Sequence, residues 1–331
     1  MRILLILTGG TIQSARVNGF FSADAQNGYL LVEKYCETYG QDNIFDIVSP
    51  YTILSENLDC RVFGVLCNEV SRNLTKNYDG IIITHGSDTL QYTAAVLDYV
   101  FADAGLPVLI VASNYILDDD RANGLCNFAA AVELIRNKAV TGVFVPYRNS
   151  DGAVYVHKGN YLLPHCFYRD DLYSINDCFF GKICNSQLEL NRDFPTEECR
   201  KTYEIVDNAD ACSHVLWIKS HPGNSYEYRL EGIRAILLEG YHSGTLCTEG
   251  AALKDFAKRA AQKNIKMYII SPGSGMEYES CSEYDAMGII RVKKASPIAI
   301  YIRLWFETAG RVHYPPDTCV AGDYYASSKI V

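Results

Sequence analysis

Short apolar runs alternate with amphipathic segments along the first half of the chain. Five runs have the length of buried strands and lie at residues 2–7, 44–51, 80–84, 108–112 and 140–146. The segments between them repeat their apolar residues at helical spacing, at residues 29–39, 59–76, 89–101 and 122–137. This alternation predicts a mostly parallel sheet with helices on both faces.

The pattern changes twice further along the chain. Short alternating stretches with Tyr and Gly between residues 151 and 180 predict a hairpin at the edge of the sheet, and residues 184–211 are polar and aperiodic. Strands are then predicted at 214–218, 235–238 and 266–270, with helices at 249–262 and 295–306. We therefore predict a larger N-terminal α/β domain (1–183), a linker (184–211) and a smaller C-terminal α/β domain (212–331).

Composition narrows the classes of partner and compartment. The chain has 331 residues, more than one core usually holds, and is 48% hydrophobic and 21% charged, as in soluble globular proteins. Its net charge of −9 argues against a nucleic-acid partner, which would require a basic face. No run approaches the roughly 18–20 apolar residues of a membrane span, and the first apolar run is too short for a signal peptide. These features predict a cytoplasmic protein without a membrane partner.

The twelve cysteines are scattered without any CxxC pair. In a chain with no export signal, this spacing predicts reduced, mostly buried thiols. It gives no support for a metal site or a catalytic cysteine.

Two polar turns follow predicted strands, and they carry the candidate chemistry. The sequence TGGT (8–11) follows the first strand, and THGSDT (84–89) contains the end of the third. Because ligands bind at the carboxyl ends of parallel strands, we expect both turns to face one substrate. The glycines leave backbone N–H groups free, and Thr11 adds a hydroxyl, which suits a nucleophile beside an oxyanion site. The alternative is a plain strand-to-helix turn with a capping Thr.

The second turn adds a carboxylate to these hydroxyls. Asp88 beside Ser87 suits the anchoring of a substrate ammonium and the alignment of a proton relay, whereas an ordinary charge at a helix start is the alternative. His85 is predicted to support the turn rather than to act as a base. A nucleotide-binding fold is disfavoured, because neither GxGxxG nor a GK[ST] loop follows any early strand.

The motifs TGGTI (8–12), Ser55-Glu56 and HGSDTL (85–90) together resemble the bacterial L-asparaginase/glutaminase family, in its cytoplasmic, type I-like form. Further similarities lie at Ala122-Asn123-Gly124 with Asn127, at 221–223 and at 240–244, in the family's order along nearly the whole chain. The resemblance implies a homodimer or homotetramer, with no metal or organic cofactor.

The resemblance also implies a reaction on a small-molecule amide. A Thr hydroxyl attacks the side-chain amide carbon of the substrate, ammonia leaves, and water hydrolyses the acyl-enzyme. By position, the catalytic residues implied are Thr11, Ser87 and Asp88, and the substrate-binding residues implied are Gly10, Ser55, Glu56 and Gly86. In this scheme Ser55 and Glu56 hold the α-carboxylate and α-ammonium groups of the substrate.

Two positions depart from the family pattern. Phe20 lies where the family has a Tyr that helps to activate the nucleophile, and Pro164 lies where it has a Lys near the second catalytic pair. The replacements we consider are Tyr29 or Tyr161 for the phenol and Lys158 for the ammonium.

Two hypotheses follow from the motifs and the departures. The first is an asparaginase-like amidohydrolase with a Thr nucleophile. The second is a catalytically weak relative that binds an amino acid or an amide as a sensor or binding module. From the C-terminal half, the loop 271–276 with Glu277 and Glu279 is a candidate to complete the site, although a Gly-rich surface turn is the alternative interpretation.

Overall fold

The computed structural model describes residues 1–17, 20–23, 26–184, 187–195, 199, 201–205, 211–271, 278–310 and 312–324. The strands are β1 (Arg2–Leu7), β2 (Ser14–Val17), β3 (Phe20–Ala23), β4 (Ile44–Val48), β5 (Gly80–Thr84), β6 (Pro107–Val111), β7 (Gly142–Arg148), β8 (Val154–Lys158), β9 (Gly181–Cys184), β10 (Gln187–Leu190), β11 (Val215–Lys219), β12 (Ala235–Glu239), β13 (Lys266–Ser271) and β14 (Ile289–Lys293). The helices are α1 (Gln26–Tyr39), α2 (Cys60–Leu74), α3 (Leu90–Phe101), α4 (Gly124–Arg136), α5 (Ala252–Gln262), α6 (Ser280–Ala286) and α7 (Pro297–Ala309).

The larger sheet has eight strands in the order β10-β9-β8-β7-β6-β5-β1-β4. The strands from β4 to β7 pair in parallel, and those from β7 to β10 pair antiparallel. The antiparallel edge agrees with the predicted edge hairpin. Strand β10 lies inside the predicted linker, so that part of the linker belongs to the large sheet. The domain boundaries themselves stay a prediction.

Helices cover both faces of the large sheet, as its buried apolar strands require. Successive side chains of a strand point to opposite faces, so Ile82 packs with α1 and α4, whereas Ile81 and Ile83 pack with α2 and α3. The turn that ends β5 therefore leads directly into α3, which lies on one face of the sheet.

The smaller sheet is parallel, in the order β11-β12-β13-β14. Helices α5 and α6 pack on one of its faces. Helix α7 packs on the other and also meets the helices of the large sheet, with Trp305 centred 5.6 Å from Phe63 and Tyr301 centred 6.2 Å from Tyr92. The structure thus confirms the predicted two-part α/β fold and shows that α7 joins the two parts through one core.

The state of the cysteines departs from expectation at one position. Ten cysteines in the described ranges are free, but Cys60 forms a disulfide. The prediction rested on local spacing, whereas disulfide pairing depends on which thiols the fold brings together. No helix in the described part of the chain is long and apolar enough to cross a bilayer.

Candidate functional site

The turn after β1 is fixed by its glycines and by one buried amide side chain. Gly9 and Gly10 both adopt positive φ (107° and 79°), and the Gly10 N–H donates to Ile53 O at 3.1 Å. The Gln13 Oε1 accepts from the Gly9 N–H at 2.6 Å and from Thr84 Oγ1 at 2.7 Å. Because Thr84 ends β5, these contacts tie the first polar turn to the second.

The two turns touch through their backbones, and the second also touches the loop after β4. A Cβ on Gly10 would overlap the backbone N and Cα of Gly86, and a Cβ on Gly86 would overlap the side chain of Ser55. Glycine is therefore required at both positions for the three loops to approach this closely. The contact brings the candidate residues from three separate loops to the carboxyl edge of β1 and β5.

The polar side chains at this junction are only partly engaged. Ser55 is buried, and its Oγ lies 3.5 Å from Asp88 Oδ2, while its carbonyl accepts from Thr89 Oγ1 at 2.9 Å. Thr11 begins a short 3-10 turn, is partly exposed, and its hydroxyl makes no hydrogen bond to any residue that the structure describes. Ser87 is partly exposed and Asp88 exposed. These groups are therefore accessible to a small molecule.

Glu56 follows Ser55 in the same short turn, Ser55–Asn57, and its side chain is exposed. The structure thus places all seven predicted site residues on the three loops that meet at this edge. Whether they act as predicted stays a prediction.

His85 supports the turn, as its sequence position suggests. Its ring is buried, with Nδ1 2.8 Å from Gly86 O and Nε2 2.8 Å from Thr93 Oγ1. Burial lowers the pKa of His85 from 6.5 to about 4. A neutral imidazole with both nitrogens in use has no free position for proton transfer.

Two of the replacements considered for the missing groups lie elsewhere. Lys158 Nζ contacts both carboxylate oxygens of the buried Asp98 at 2.8 Å. Asp98 follows Asp88 by ten residues, which is about 15 Å along a helix. Tyr161 is also occupied, since its hydroxyl donates to Tyr324 O at 2.8 Å. Neither side chain is free to serve the site, because each is held by a partner in the core.

The other candidates have different outcomes. Tyr29 remains half exposed in the first turn of α1, next to Gly28, which packs on Leu7 at the end of β1. The side chain of Phe20 and residues 272–277 lie outside what the structure describes.

The structure adds one histidine that the sequence analysis missed. His165 directly follows Pro164, its Nδ1 donates to Asp171 O at 3.1 Å, and its ring lies edge-on to Tyr147 with centroids 5.5 Å apart. Pro164 is exposed, whereas the Nε2 of His165 is buried. The available signal was a histidine next to the position where the family has a Lys.

Taken together, the parallel sheet and its three meeting loops define a two-part α/β protein with hydroxyl and carboxylate groups gathered at the carboxyl edge of neighbouring strands. The model of the asparaginase N-terminal domain matches residues 2–195. The chain belongs to the asparaginase family.

Solved structures and curated relatives agree with this placement. The thermostable L-asparaginase of Thermococcus kodakarensis superposes with a TM-score of 0.79 at 20% identity, over 99% of this chain and 100% of that one. L-asparaginase I of Vibrio cholerae gives a TM-score of 0.81 at 20% identity, over 98% and 99%. At this identity the superpositions show the fold alone.

Curated sequence relatives carry a different name, which makes each of them one subunit of a glutamyl-tRNA(Gln) amidotransferase. The Methanobrevibacter smithii protein is 27% identical over 353 aligned positions, covering 99% of this chain and 78% of that protein. The Pyrococcus horikoshii protein is 28% identical over 251 positions, covering 72% of this chain and 56% of that protein. The matched region thus spans little more than half of the second relative.

Proposed function

We propose that the chain hydrolyses the side-chain amide of asparagine, or of a related small amide, to a carboxylate and ammonia. One observation carries the proposal: the backbone contact of Gly10 with Gly86 brings the Thr11 turn against the Ser87-Asp88 turn. A nucleophilic hydroxyl, a second hydroxyl and a carboxylate at one open edge are the groups that acyl transfer requires.

The chemistry follows from the position of these groups. Thr11 Oγ1 attacks the amide carbon, the hydroxyl proton is transferred to the departing nitrogen, and ammonia leaves an ester on Thr11. Water then attacks the ester carbon, which releases the acid and restores the hydroxyl. The backbone N–H groups of Thr11 and Ser87 donate no hydrogen bond to the described residues, so they are free to stabilise the developing oxyanion.

Substrate binding falls to the loop after β4. We assign Ser55 and Glu56 to the α-carboxylate and α-ammonium groups of the substrate, with Asp88 as a further carboxylate near the ammonium. The Ser55–Asp88 separation of 3.5 Å allows one amino acid to contact both side chains.

Turnover is expected to be slow. A positioned acid or base contributes roughly 10²- to 10⁴-fold to a rate, and the chain has Phe20 and Pro164 where the family has a phenol and an ammonium. Restoring either group, as Phe20→Tyr or Pro164→Lys, should raise the rate if its absence limits turnover.

Ammonia release by the purified protein tests the proposal. Asparagine, glutamine and small peptide amides are compared for the wild type, Thr11→Ala and the matched control Thr38→Ala, whose hydroxyl only donates to Lys34 O within α1. We expect release by the wild type and Thr38→Ala and none by Thr11→Ala. Binding of aspartate or asparagine without any ammonia would instead favour the binding-module hypothesis.

A second candidate function is supported by the curated relatives. Their name describes one part of a glutamyl-tRNA(Gln) amidotransferase, and one of them aligns over 99% of this chain. In that case the chain would supply ammonia within a complex, and its net charge of −9 would leave tRNA contacts to another component. Ammonia release that appears only after co-purification with a native partner would favour this function over a free-standing enzyme.

A further inference from the structure

A buried imidazole with an unused nitrogen lies close to the candidate site. The Nδ1 of His165 carries a hydrogen, because it donates to the carbonyl oxygen of Asp171 at 3.1 Å. Its Nε2 therefore carries a lone pair, and this buried atom has no hydrogen-bond partner among the described residues. Burial of an unsatisfied polar atom costs stability, so such an atom requires a functional or structural explanation.

The packing of the ring places it at the carboxyl edge of the sheet. Tyr147, which the His165 ring contacts, lies near the end of β7 in the core cluster that includes α3. Strands β7, β6 and β5 are adjacent and parallel, so the end of β7 lies at the same edge as the turn that leads from β5 into α3. That turn contains Ser87 and Asp88.

The groups around the ring keep it neutral but connect it to the site. Burial is the largest cause and lowers the pKa of His165, whereas the carboxylates of Asp170, Asp88 and Asp171 oppose this effect and raise it. The buried His157 on β8 also interacts with the ring, and Tyr147 is the aromatic contact on β7. At neutral pH the imidazole is therefore an unprotonated base within the electrostatic reach of Asp88.

This inference rests on the proposed amide hydrolysis. We propose that His165 is a positioning residue that accepts a proton through the Ser87 hydroxyl, at the place where the family's lysine is absent. As water bonds to the acyl carbon, it gives a proton to Ser87 Oγ, whose own proton moves to His165 Nε2. When the ester bond breaks, the proton returns by the same route to Thr11 Oγ1. The acid leaves, and all three side chains are restored.

The first test does not depend on activity. The pKa of His165 is measured by NMR titration in the wild type, in Asp88→Asn and in Asp103→Asn, which removes an exposed carboxylate from the turn after α3. We expect Asp88→Asn to lower the pKa of His165 and Asp103→Asn to leave it unchanged. An unchanged pKa in Asp88→Asn would overturn the inference, whatever the enzyme turns over.

The second test uses the pH dependence of kcat/KM. His165→Asn keeps a donor for Asp171 O but lacks the basic Nε2, and His157→Asn is the matched control because it removes the neighbouring buried imidazole. For the wild type and His157→Asn we expect a fall on the acidic side of the ordinary histidine pKa of 6.5. His165→Asn should lose this limb and roughly 10²- to 10⁴-fold of the neutral rate.

The outcomes separate the two proposals. An active wild type with the same limb and rate in His165→Asn would overturn the inference and leave amide hydrolysis intact. A wild type without activity on any amide would overturn both. Loss of activity in His165→Asn with an unchanged pH profile would show a structural role only and would also overturn the inference.

Discussion

Gly10→Ala tests the contact on which the candidate site depends. Gly10 has φ 79° and ψ 178°, a region that is essentially restricted to glycine and costs other residues about 1–3 kcal/mol. In addition, the new methyl group would overlap the backbone N and Cα of Gly86, so no side-chain rotation can relieve it. The two turns must separate. A shift of about 1 Å at reacting groups costs on the order of 10²-fold in rate.

We therefore expect Gly10→Ala to fold with a melting temperature lower by about 5 °C and to lose about 10²-fold in kcat/KM for ammonia release. The matched control is Gly232→Ala, which has a φ of 78° but no atom within 4 Å of the added Cβ. It should lose a little stability and keep its activity. A folded Gly10→Ala with wild-type kcat/KM would refute the argument that the backbone contact assembles the site.

Two further predictions concern buried charge. Lys158→Met should destabilise the protein by about 3–5 kcal/mol in urea unfolding, because it leaves the fully buried Asp98 unpaired, yet activity per folded molecule should persist; lost activity with retained stability would contradict this. Burial lowers the pKa of His85 to about 4 and that of His157 to about 3, both from 6.5. Below pH 6.5 the unfolded chain therefore binds protons that the folded chain does not. Each histidine should remove about 1.4 kcal/mol of stability between pH 8 and 5.5, and His157→Asn should show a smaller loss over that range; equal losses would count against it.

The fold was largely predictable because buried parallel strands are recognisable as continuous apolar runs. Strands β1 and β5 were predicted at their observed bounds, and the helices between the early strands differ by a few residues at their ends. Strand β14 and helix α6 were missed. The first alternates apolar and basic residues over five positions, and the second has only seven residues, too few to establish helical spacing.

The meeting of the polar turns was predictable for a physical reason, since adjacent parallel strands end at the same edge of a sheet. Contacts between distant segments were not. The pairing of Lys158 with Asp98 depends on how β8 pairs with β7 and on which face α3 covers. The inward position of His165 and the disulfide at Cys60 likewise depend on tertiary packing, which local patterns do not encode.

The central claim is that the Thr11 hydroxyl is the nucleophile, and a pair of substitutions tests it most directly. Thr11→Val keeps the shape of the side chain and removes the hydroxyl, whereas Thr11→Ser keeps the hydroxyl and removes the methyl group. Thr11 makes no side-chain hydrogen bond to the described residues, so neither change should unfold the protein. We predict that ammonia release from the best amide substrate persists in Thr11→Ser and disappears in Thr11→Val. Equal release by folded Thr11→Val and the wild type would contradict the account.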